Sequence, residues 1–111
     1  MEKFSLEATA RQLREAAGRA GSGRAAETVY GGHEHVLRQT VLALNAGASL
    51  SEHENPGEAT VYVLSGRVRL TADGQAWDGR TGDLVVVPDK RHALEALEDS
   101  AILLTVAKVP G

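Results

Sequence analysis

Residues Gly47–Gly66 read GASLSEHENPGEATVYVLSG, and this stretch decides the fold. It opens on a glycine, sets His53 six positions later, crosses a Pro56-Gly57 turn to Glu58, and runs as an apolar segment to a closing glycine. Val and Tyr between Gly and Pro punctuation are the signature of a β-strand. A second island, GDLVVVPDKRH, spans Gly82–His92. Its apolar run between Gly82 and Pro88 reads as a buried strand, and it too ends in a histidine. Two histidines at strand edges, roughly forty positions apart, are what a barrel needs to aim two imidazoles into one cavity.

Outward from these islands the period-two pattern continues. VLRQTVLALN (Val36 to Asn45) is a long strand candidate, and GRVRLTADGQAW alternates Val68 and Leu70 with Arg67 and Arg69. Asp73-Gly74 predicts a tight hairpin, because a type I′ turn needs positive φ at both central residues. HALEAL and AILLTVAKV supply further strands, giving seven or eight in all. Short strands with turn signals every eight to twelve residues predict an all-β sandwich or barrel. The N-terminus differs. Leu6, Ala10, Leu13 and Ala17 recur at helical spacing, Ser5 is placed to cap, and Gly18, Gly21 and Gly23 are placed to end the helix. Its thin, alanine-rich stripe suits the outside of the domain or a partner subunit. The expected organisation is a helix and Gly-rich joint over residues 1–24 and a β-barrel over 25–111.

Composition bounds the rest. The 111 residues suit one domain, and 42% hydrophobic and 24% charged residues are ordinary for a soluble globular chain. Net charge is −3 with basic residues scattered, so no nucleic-acid face is expected. No window holds eighteen apolar residues, and the N-terminus lacks the apolar region of a secretory signal, so neither a membrane nor export is expected. With no cysteine there is neither a disulfide framework nor thiol chemistry. The expectation is a cytoplasmic protein.

The two islands resemble the two motifs of the cupin superfamily, whose members are small jelly-roll β-barrels. The first motif runs glycine, five residues, His-x-His, three or four residues, Glu, six residues, glycine. Gly47, His53 and Gly66 match it. Asn55 stands where the second histidine belongs, Ala59 where the glutamate belongs, and Glu58 is one position early. The second motif runs glycine, five residues, Pro-x-Gly, two residues, His. Gly82 and Pro88 match, Lys90 replaces the middle glycine, and His92 arrives one residue early. The resemblance covers roughly residues 30–108. It implies an all-β jelly-roll barrel with a short N-terminal helix, and a metal position for Fe, Mn, Ni or Zn.

The departures shape the functional expectation. Of three histidines and a glutamate, only His53 and His92 are retained. Asn55 offers a neutral amide oxygen, and Glu58 reaches the cavity only if a bulge after Pro56-Gly57 re-aims it, since neighbouring strand side chains face opposite ways. One expectation is a binding or accessory barrel, its mouth lined by His53, Asn55, Glu58 and His92, taking a small ligand or a weakly held divalent metal and no organic cofactor. The alternative is a metal-dependent enzyme of dioxygenase or isomerase type using His53, His92 and Glu58, since two histidines and a carboxylate suit non-haem iron. Metal-free acid–base catalysis by a His–Glu pair is a third.

Bland readings fit the remaining polar residues. His33 and His35 read as exposed histidines at a strand start, Glu52 and Glu54 as surface carboxylates, and Arg67 and Arg69 as solvated or at a subunit contact. Tyr62 and Trp77 read as packing residues, and one of Gln39 and Thr40 should face inward. Val61, Val63, Val85 and Val87 are candidate cavity walls. No arginine cluster is evident, which disfavours a bulky polyanion. Edge strands need covering, and small cupins associate through a sheet face, so a homodimer is expected.

Overall fold

The computed structural model describes residues 1–53 and 57–108, the side chains of Glu52 and His53 excepted. One helix, α1 (Leu6–Arg19), precedes nine strands. The Ser5 hydroxyl accepts the Ala8 amide at 3.2 Å, Glu7 lies in the first turn and Arg19 in the last, so both helix ends are electrostatically complemented. Gly18 lies within the helix rather than ending it. The chain leaves at Ala20, which adopts an extended conformation, and Gly23 turns it into the first strand with φ 70°.

The strands are β1 (Arg24–Gly31), β2 (Leu37–Leu44), β3 (Ser49–His53), β4 (Gly57–Ser65), β5 (Arg67–Ala72), β6 (Gln75–Arg80), β7 (Leu84–Val87), β8 (His92–Ala96) and β9 (Ser100–Lys108). They form two antiparallel sheets, ordered β1-β2-β9-β4-β7 and β3-β8-β5-β6. Gly47–Gly66 thus supplies two strands, one to each sheet. The β5–β6 hairpin turns at Asp73 (φ 53°) and Gly74 (φ 76°), the type I′ geometry its sequence predicts. His33 and His35 are exposed as expected, but they lie in the turn between β1 and β2 rather than at a strand start, and β2 begins at Leu37.

Alternation decides what each sheet buries. Ala59, Val61 and Val63 on β4 face inward beside Val106, Leu104 and Ile102 on β9. Val68, Leu70, Leu94 and Ala96 meet them from the other sheet. Val85 and Val87 join this core, as the sequence predicts for the cavity walls. The outer face of the larger sheet is half covered by α1. Ala10, Leu13 and Ala17 pack on Val41, Ala43 and Ala101, where the small residues let helix and sheet approach closely. Arg14 donates to the Ser65 hydroxyl and Asn45 to the Ala17 carbonyl, each at 3.0 Å, fixing the helix on its own domain. Among the described residues, no helix is long and apolar enough to cross a membrane.

Candidate functional site at the barrel mouth

His92 begins β8 on the inner face and is 6% exposed. Its placement follows from the loop before it. Pro88 opens a tight turn in which its carbonyl accepts the Lys90 amide at 2.8 Å, so the chain reaches the next strand in fewer residues than a Pro-x-Gly loop needs. The Lys90 carbonyl then lies 2.8 Å from His92 Nδ1. An Nδ1–H donated there fixes the ring orientation and puts the imidazole lone pair on Nε2, the arrangement that makes a histidine a good ligand. The Lys90 ammonium reaches Asp73 at 2.9 Å, tying this loop to the β5–β6 hairpin and holding the Asp73 carboxyl below its ordinary pKa. Lys90, where the motif has glycine, therefore anchors the loop at both its backbone and its side chain.

The β3 and β8 strands bring the two motif histidines together in register, His53 pairing with His92. Ala72 of β5 flanks His92 on its other side. On the facing sheet Ala59 occupies the inward position between Val106 and Val87, as the motif count assigns. Asn55 lies outside the described residues.

Glu58 points the other way. The β4–β9 register is unbroken from Gly57 to Val63, so no bulge turns the carboxylate inward. Glu58 is exposed on the outer face, in a shallow depression of about 390 Å³ with Thr60, Thr105 and Asp89. The expectation that it completes a donor set inside the barrel is corrected by this geometry. Among the described residues, no three His, Cys, Asp or Glu side chains gather as a metal site.

A second cluster on the inner face was invisible to motif spacing. Arg38 and Thr40 both face inward on β2, while Gln39 faces outward and donates to Thr105 at 3.3 Å. Arg24 and Arg38, distant in sequence, line one cleft between β2 and β3. The usable signal was the alternation Arg38, Thr40, Leu42 on one strand face.

A cupin-domain family model matches residues 40–107, which contain both motifs and, but for Lys108, every strand after β2. The chain belongs to the cupin family. Solved structures agree. A conserved protein of unknown function from Streptococcus pyogenes is 30% identical, with 83% of this cupin and 80% of that chain covered and a TM-score of 0.74. A cupin superfamily protein from Desulfitobacterium hafniense is 21% identical, with 78% of each chain covered and a TM-score of 0.71. A glycine-to-alanine variant of salicylate 1,2-dioxygenase from Pseudoaminobacter salicylatoxidans, in complex with gentisate, is 20% identical. It is covered over 32% of its length by 94% of this cupin, with a TM-score of 0.78, a likeness of fold alone. No curated protein is similar enough to match.

Proposed function

We propose that this cupin is a binding protein, not a catalyst, whose barrel mouth at His53, Asn55 and His92 takes a small ligand or a weakly held divalent metal. The observation that carries the reading is the buried His92, oriented by the Lys90 carbonyl and paired in register with His53, over a wall where the carboxylate position is Ala59. Two imidazoles with Ala59 in the carboxylate position bind a transition metal weakly, because that position supplies neither charge nor a donor. The enzymatic alternative needs Glu58 as that third donor, and Glu58 lies on the outer face.

Elemental analysis of the protein purified without a histidine tag tests this reading. Iron, manganese, nickel or zinc at well below one equivalent is expected, falling to background in His92→Ala, with a thermal melt confirming that the variant folds. A full equivalent of metal retained through purification would overturn it in favour of the enzymatic reading.

The protein is further proposed to form a homodimer through the half of the larger sheet that α1 leaves uncovered. Tyr62, Leu84 and Val86 are exposed there, the last at 72%, around the four-residue edge strand β7. Exposed apolar strips beside an open strand edge are surfaces that association covers. Sedimentation should give a dimer that Val86→Glu dissociates; a monomer at all concentrations would refute it.

A further inference from the structure

The inner face of β2 carries an ordered series: Arg38, Thr40 and Leu42 at alternate positions give a charge, a hydroxyl and an aliphatic side chain along about 13 Å of strand. Leu104 of β9 pairs with Thr40 on one side. On the other side lies Thr28 of β1, its hydroxyl 3.2 Å from that of Thr40. Leu50 of β3 lines the opposite wall, and together these residues line an open cleft of about 430 Å³. That volume lies within the range of small-molecule sites.

The two arginines play different parts. Arg24 Nη1 donates to the Ser49 carbonyl at 2.8 Å, joining β1 to β3 across the cleft and fixing its width. Arg38 is partly buried and makes no ion pair with a described carboxylate; the described ion pairs use Arg67, Arg69 and Lys90. A guanidinium in that position offers a planar fork of donors matched to a carboxylate.

We propose that this cleft binds a small amphiphilic monoanion, a carboxylate on an unbranched aliphatic body. Arg38 takes the carboxylate, one hydroxyl of the Thr28–Thr40 pair donates to it, and the body lies along Leu42, Leu50 and Leu104. This cleft is lined by residues other than the histidine mouth, so the inference goes beyond the reading above. A single carboxylate satisfies Arg38, and the aliphatic wall excludes a bulky polyanion.

Calorimetric titration of the full chain with octanoate, octanol and acetate tests the proposal. Octanoate should bind at least tenfold more tightly than octanol, which lacks the charge, and than acetate, which lacks the body. Arg38→Gln should weaken octanoate about tenfold and leave octanol unchanged. Thr40→Val, which removes a hydroxyl at nearly constant volume, should weaken octanoate severalfold. Octanoate binding no tighter than octanol or acetate, or untouched by Arg38→Gln, would overturn the proposal. So would an Arg38→Gln protein of altered oligomeric size with unchanged octanoate affinity, which would mark the cleft as a subunit contact. Failure with octanoate while His92-dependent metal binding persists refutes only this cleft; loss of both refutes the binding reading itself.

Discussion

Gly66 closes the first motif with φ 93°, and a Cβ there would collide with the Ser100 hydroxyl and the Asp99 carbonyl. Ser100 is fully buried, and its hydroxyl accepts the Arg67 amide at 3.0 Å, so this neighbour cannot withdraw. Gly47, at the other end of the motif, has φ 85° but nothing within 4 Å of such a Cβ. Gly66→Ala should therefore cost about 2–4 kcal/mol, the sum of left-handed strain and overpacking, while Gly47→Ala should cost only about 1 kcal/mol. Chemical denaturation of both variants measures the difference, and equal losses would contradict the close approach at Gly66. Both glycines and His92 were legible in the sequence because motif spacing reports backbone corners. The direction of Glu58 was open until the β4–β9 register ruled out a bulge. The role of Lys90 was hidden because it acts through its carbonyl, which no residue-type pattern reveals.

At the level of elements, α1 and the β5–β6 hairpin were readable because their signals are local: a capped 3.6-residue stripe and an Asp-Gly turn. Cross-strand chemistry was not. Arg67 and Arg69 lie two apart on one outer face, and only pairing with β6 brings Asp78 opposite Arg69. Asp78 accepts from Arg69 Nε at 2.7 Å and from its Nη2 at 3.1 Å. This hydrogen bonding lowers the Asp78 pKa below the ordinary carboxylate value and raises that of Arg69. A depressed folded-state pKa contributes stability above the unfolded value and loses it as pH falls through the folded one. Asp78→Asn should thus melt slightly below wild type at pH 7, by a small margin because the pair is exposed. That margin should shrink below about pH 4 and at high salt. A margin that grows on acidification would contradict the pairing. Arg38 and Arg24 escaped notice for the same reason, since sheet pairing rather than sequence proximity places them in one cleft.

At the scale of the whole molecule, two sheets closed over Val, Leu and Ile make a barrel with a buried His92 on its inner face and Ala59 in the motif's carboxylate position. The fold followed from alternation and glycine spacing, which constrain every strand. Function was less legible because it depends on the directions of a few side chains and on which cross-strand neighbours they meet. The most direct measurement is a calorimetric zinc titration of wild type, Glu58→Gln and His92→Ala, each verified as folded by its melt. A binding mouth built on His92 predicts weak zinc binding that Glu58→Gln leaves unchanged and His92→Ala reduces at least tenfold. Zinc affinity lost with Glu58 and kept without His92 would contradict it.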